Sequence, residues 1–191
     1  MSEHPKVALE RAQEICERVY QLLAPAAERL EVAGSVARRA PQVGDLELVM
    51  ISKLDLFWQP VINSHIHIMA AREHWKIIQD GPKAKRLDLG EIQLDLYITT
   101  PEQWGVIKAL RTGPRELSKA LVTKKRAGGF MPANMQIKDG KLWRIPPDGS
   151  PRFVIPTPEE RDLFERLGVP YLPPHKRDVL LEKRQQSKSD G

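Results

Sequence analysis

The spacing of apolar residues changes several times along the chain. Val7, Ala8, Ile15, Val19, Leu22 and Leu23 recur at helical spacing with charges between them. This predicts an amphipathic helix over 7–23, packed on a sheet and ended or restarted at Pro25. Residues 31–33 read as a short strand leading into a Gly34-Ser35 turn. From Asp45 to Ile51 the period becomes two: Leu46, Leu48 and Met50 share one face, Asp45 and Glu47 the other. Glu91 to Ile98 alternates in the same way. Ile92, Leu94, Leu96 and Ile98 oppose Glu91, Gln93, Asp95 and Tyr97, which predicts a strand with Asp95 on its polar face. Residues 52–80 carry no clear period. Leu54 to Pro60 reads as a loop or partner-facing segment, and Leu56-Phe57-Trp58 within it reads more readily as a core plug. His65 to Met69 suits helix or strand, and Gly81 to Arg86 reads as a basic turn.

The second half is punctuated by Gly and Pro. Thr100-Pro101 predicts a capped helix start and a helix over 102–110. Thr112-Gly113-Pro114 interrupts it, and a second helix is expected over 115–127, stopped by Gly128-Gly129. Asp139-Gly140 between 135–138 and 141–144 is a two-residue hairpin signal. Residues 146–158 are proline-rich and read as extended. Thr157-Pro-Glu-Glu reads as a capping box opening a helix that ends at Gly168. An extended segment follows, and from Lys176 a charged tail is expected to fray.

Composition narrows the function classes. The chain has 191 residues, 41% hydrophobic and 29% charged, with net charge +5 and pI about 9.4. Such a length suits one domain or two small ones. Residues 105–154 hold 11 Lys+Arg against 3 Asp+Glu, so the rest of the chain is net negative. That concentration is the pattern of a lobe facing nucleic acid. A single cysteine, Cys16, excludes an internal disulfide framework and a cysteine zinc site, and suits a reducing, intracellular setting. No apolar run approaches the roughly 18 residues of a membrane span, and the first residues lack the build of a signal peptide.

The candidate chemistry lies in residues 32–51. Asp45 and Glu47 share a strand face, and paired carboxylates repel unless a cation sits between them. Gly34-Ser35 allows close backbone approach to an anion, and Arg38 and Arg39 supply charge. Anion cradle plus paired carboxylates suggests metal-assisted phosphoryl or nucleotidyl transfer. Asp95 completes three carboxylates if its strand neighbours 45–51. His65 and His67 share a face only in a strand, and no further ligand stands at a telling spacing, so they read as ordinary surface or loop histidines.

These residues resemble the X family of DNA polymerases. Gly34, Ser35, Arg38, Gly44, Asp45 and Glu47 stand at the spacing of that family's Gly-Ser…Arg…Gly-Asp-x-Asp motif without a gap. Gln93-Leu-Asp-Leu-Tyr97 looks like its third-carboxylate strand, and Trp104-Gly105 with Thr112-Gly113 is similar to its thumb start. Residues 157–174, with Leu167-Gly-Val-Pro-Tyr171, look like its C-terminal signature. The resemblance implies an α+β fold: a nucleotidyltransferase palm over 1–103, with a mixed sheet and packed helices, then a small basic α/β thumb over 104–178. Residues 179–191 would be a disordered tail. It implies Mg²⁺, with Mn²⁺ possible, held by Asp45, Glu47 and Asp95 as catalytic ligands, Asp95 being the proton acceptor. Gly34, Ser35, Arg38, Gly44, Thr112 and Gly113 would bind the dNTP. Arg115, Lys119, Lys124, Lys125 and Arg126 would bind primer-template or gapped DNA. The expected protein is a monomeric short-gap repair polymerase, not on a membrane, cytoplasmic or in a nucleus or virion.

Three departures stand out. Glu47 occupies a position where the family has Asp, a methylene longer. Gly113-Pro114 replaces the family's Gly-Ser, and a cis peptide is expected there. The family's N-terminal lyase and helix-hairpin-helix regions have no counterpart, so the basic thumb is expected to supply most of the DNA grip. Two other readings stay open: transfer to RNA or a small molecule, and a weakly active or inactive relative that binds DNA or protein.

Overall fold

A computed structural model describes residues 5–180. The chain divides into two compact units, residues 1–99 and 100–191, each with its own apolar core.

The first unit is built on a five-stranded sheet in the order β2-β4-β7-β6-β5, comprising β2 (Ala27–Val32), β4 (Asp45–Ser52), β5 (Lys76–Asp80), β6 (Ala84–Asp88) and β7 (Gln93–Ile98). A separate pair, β1 (Val7–Ala8) and β3 (Gln42–Val43), flanks it. Helices α1 (Leu9–Leu23) and α3 (Ile62–Glu73) supply buried residues to the core, and the single turn α2 (Gly34–Ala37) follows β2. The alternation in sequence explains the layering. Leu46, Leu48 and Met50 of β4, with Leu94 and Leu96 of β7, face the core beside Val19 and Leu23 of α1. Cys16 belongs to the same core, and burial pushes its thiol up to about 11.

Residues 65–69 take the helical one of their two readings, and one other reading of this half needs correction. His65 and His67 lie on helix α3. His65 Nε2 is bonded to the Leu22 carbonyl at 2.7 Å and His67 Nε2 to Asp80 at 2.7 Å. The expected basic turn at 81–86 is half strand. Ala84, Lys85 and Arg86 pair with β7, Lys85 is buried against Asp80, and the turn shrinks to 81–83.

In the second unit, α4 (Trp104–Thr112), α5 (Arg115–Val122) and α6 (Glu160–Leu167) pack with a three-stranded antiparallel sheet. Its order is β10-β9-β8, from β8 (Met135–Lys138), β9 (Lys141–Arg144) and β10 (Phe153–Ile155). The Asp139-Gly140 hairpin forms as expected, both residues at positive φ. The Thr100–Gln103 capping box is present, but it starts a 3-10 turn that leads into α4. Helix α5 is shorter than the pattern predicts. It stops at Val122, because Thr123 turns to extended backbone and a separate 3-10 turn covers Lys125–Ala127. Glu159 with Asp162, not Thr157, forms the capping box of α6. Packing runs past Lys176: Arg177 and Leu180 are buried. The expected disordered tail lies, from residue 181 on, outside the described residues.

Candidate active site

Strands β4 and β7 are the only parallel neighbours in the described sheet, and their register decides the site. Asp45 stands opposite Gln93, and Glu47 opposite Asp95. Residues in register on adjacent strands share a face, with strands roughly 4.8 Å apart. The three carboxylates expected from the sequence are therefore brought to one face of two central strands. Burial, followed by the Asp95 charge, raises the Asp45 pKa above its ordinary value; Arg86 and Arg38 act in the opposite sense.

The Gly34-Ser35 turn adjoins this face. The Ala33 amide donates to the Glu47 carbonyl at 2.8 Å, tying the turn to β4. Gly34 has φ +59°, and a Cβ there would overlap the Glu47 carboxylate. Only glycine meets both conditions without strain. The longer acidic side chain is thus accommodated by lying over Gly34. The Ser35 hydroxyl is buried without a protein hydrogen-bond partner. Arg38 follows at the end of α2, and Arg39 at positive φ.

Arg86 is the residue that sequence reasoning missed. It stands directly across from Asp95 on β6, donating from Nε to Oδ1 at 2.7 Å and from Nη2 to Oδ2 at 2.9 Å. Gln93 Nε2 adds a bond to Oδ1 at 3.0 Å, and the Tyr97 hydroxyl a longer one to Oδ2 at 3.4 Å. The signal lay in Lys85-x-Leu87 before Gly90, a short alternating arm leading through a turn into β7. Its basic residues pulled the reading toward a turn.

The donor set of Asp45, Glu47 and Asp95 is all hard oxygen, which suits Mg²⁺ or Mn²⁺ in kind. Among the described residues, no group of three or more His, Cys, Asp or Glu is disposed to hold a metal ion. Arg86 pairs with Asp95, and the Glu47 carboxylate lies over Gly34.

The other expected site residues lie in the second unit. Thr112 ends α4, Gly113 caps it at φ +65°, and the Gly113–Pro114 peptide is cis, as expected. Arg115 and Lys119 lie one turn apart and exposed on α5. Lys125 and Arg126 are exposed on the following 3-10 turn. Lys124 departs from the expectation. Its Nζ donates to the carbonyls of Pro132 at 3.2 Å, Ala133 at 3.1 Å and Met135, and burial lowers its pKa. It staples a loop and is not presented outward.

Comparison with known proteins bears on both units. Residues 111–178 match the DNA polymerase beta thumb family. The match spans 68 of the 191 residues, all in the second unit. The fold of the chain is similar to the crystal structure of Leishmania infantum polymerase beta in a ternary P/T complex. The TM-score is 0.70 at 14% identity, covering 90% of this chain and 76% of that one. No curated protein sequence matches the chain. The polymerase beta-like fold is mixed α+β, as the sequence led one to expect. None of the described helices is long and apolar enough to cross a membrane.

Proposed function

We propose that the chain is a nucleotidyltransferase of the X-polymerase type that adds dNMP to a DNA primer 3′ end, in an intracellular setting and as a monomer. The observation carrying this reading is the β4–β7 register, which sets Glu47 beside Asp95 with Asp45 two residues away, next to a turn whose Ser35 hydroxyl lacks a partner. In the reaction, the primer 3′ oxygen forms a bond to the α-phosphorus of the dNTP. The bond from that phosphorus to the α–β bridging oxygen breaks, and pyrophosphate leaves. Ser35, Arg38 and the backbone of Gly34 and Gly44 hold the β and γ phosphates, and Thr112 and Gly113 meet the sugar. Asp95 accepts the proton from the 3′ hydroxyl, which requires that Arg86 release its carboxylate. Mg²⁺ or Mn²⁺, when bound by Asp45, Glu47 and Asp95, supplies the Lewis acidity that this family of reactions needs. Arg115, Lys119, Lys125 and Arg126 bind DNA phosphates, in line with the match to a polymerase beta thumb.

The test is incorporation on a one-nucleotide gap, with each dNTP and with Mg²⁺ or Mn²⁺. The expected result is extension that Asp95→Ala abolishes. The Arg86–Asp95 pairing also favours a second reading, a relative that binds DNA without turnover. Retained DNA binding with no incorporation under either metal would establish that reading and reject the first.

A further inference from the structure

The proposed reaction leaves the loop from Lys53 to Pro60 unused. Within this expected loop, the Leu56-Phe57-Trp58 trio, which the sequence suggests as a core plug, is exposed instead. Leu56 is 95% exposed, Phe57 81% and Trp58 80%. Single exposed apolar residues need no explanation, but three large ones in succession do.

The loop is firmly built. Asp55 Oδ1 accepts from the amides of Phe57 at 2.8 Å and Gln59 at 2.9 Å. The Asp55 carbonyl accepts from the Trp58 amide at 3.1 Å, and the Asp55 amide donates to the Gln59 carbonyl at 2.9 Å. At its base Leu54 pairs with Pro60, and the Val61 amide donates to the Lys53 carbonyl at 2.9 Å. Trp58 is held at φ 60°, a conformation uncommon for a bulky residue. The backbone is therefore ordered before anything docks, which removes part of the entropic cost of binding.

Charge and area decide what fits the tip. Lys53 Nζ donates to the Pro25 carbonyl at 3.0 Å and Asp55 is turned onto its own loop, so the tip presents no cation. The unit carrying it has 12 Lys+Arg against 14 Asp+Glu. A nucleic acid would find bases to stack but little to neutralise its phosphates. One leucine and two aromatics offer on the order of 500 Å². A second copy meeting tip to tip falls short of the roughly 800 Å² per partner of a stable interface. The same side chains inserted into a cleft would be desolvated on all sides, as binding hot spots are.

We infer that Leu56, Phe57 and Trp58 form a docking plug for a different protein, one bearing a narrow, uncharged apolar cleft with a carbonyl at its rim for the Trp58 N–H. Gln59→p-benzoylphenylalanine places a photo-crosslinker beside the plug and leaves its three side chains intact. Irradiated in the cells that make the full chain, this variant is expected to form an adduct with a discrete protein. That protein, purified, should bind the wild-type chain, and Phe57→Asp or Trp58→Asp should each weaken binding at least tenfold. Asp55→Ala, which loosens the turn and spares the contact side chains, should weaken it several-fold. Phe57→Asp should leave the melting temperature and gap filling by the isolated chain unchanged, so this inference and the polymerase reading fail independently. Adducts only with nucleic acid, lipid or the chain itself, no adduct at all, or an affinity indifferent to Phe57→Asp would each overturn the inference.

Discussion

At the scale of single residues, Asp45 and Gly34 show what the candidate site costs the fold. The Asp45 pKa is raised, so its carboxylate is less favourable in the folded chain than in the unfolded one. A group of that kind stabilises while protonated and loses that contribution as pH rises through the folded pKa. Asp45→Asn is therefore expected to raise the melting temperature at pH 7 and to abolish nucleotide incorporation. The thermal gain should shrink toward zero below about pH 4, where aspartate is protonated in the unfolded state too. A melting series from pH 3 to 8 on both proteins checks the sign. Gly34→Ala meets two obstacles, the positive φ and the Glu47 carboxylate. It should destabilise by roughly 1–3 kcal/mol. Adding Glu47→Ala relieves only the overlap, so urea unfolding of the four proteins in a double-mutant cycle should recover part of the loss and not all of it.

At the scale of elements, the C-terminal segment depends on one buried ion pair. Arg177 is fully buried, its Nη2 2.7 Å from Glu160 and its Nε donating to the Leu172 carbonyl at 3.1 Å, with the guanidinium over Phe164. Gly168, left-handed, ends α6, and the Val169 amide returns to the Phe164 carbonyl at 2.9 Å, turning the chain back toward that pair. Removing one partner of such a pair costs about 3–5 kcal/mol, because the other charge stays buried. Arg177→Met should unfold the second unit at markedly lower urea, and Glu160→Gln in the same chain should restore part of the midpoint. This scale also shows where the sequence was readable. Strands β4 and β7 were legible because a strict two-residue period over a half-buried sheet leaves no other reading. Lys85 and Arg86 were not, because a strand buried at Lys85 through an ion pair with Asp80 looks like a turn when charge is taken for exposure. Lys124 was misread for a related reason: three carbonyls brought close by tertiary folding satisfy its ammonium, and no local pattern announces them. The Leu56–Trp58 loop reversed expectation because apolar composition alone cannot say whether a side chain faces inward.

At the scale of the whole molecule, positive charge is divided unevenly. Residues 100–191 carry 18 Lys+Arg against 11 Asp+Glu, whereas residues 1–99 are slightly acidic. If Arg115, Lys119, Lys125 and Arg126 each neutralise one DNA phosphate, the logarithm of affinity should fall with the logarithm of salt at a slope of about −3 to −4. Lys119→Ala or Arg126→Ala should reduce the slope by about one. Lys124→Ala should leave the slope unaltered and lower the melting temperature. Fluorescence titrations on gapped DNA at several salt concentrations separate the two behaviours.

The parallel pairing of β4 with β7 also has a kinetic consequence. Glu47 and Asp95 are 48 positions apart, while β5–β6 and β6–β7 join through short turns. Closing the longer loop costs more chain entropy before any contact rewards it. The carboxylates should therefore come together late, after the local hairpins are in place. In pulsed hydrogen exchange during refolding, the amides of β6 and β7 that bond each other should gain protection ahead of those bonding β4 to β7. The chemistry of the site would then serve as a marker of the sheet's last closure.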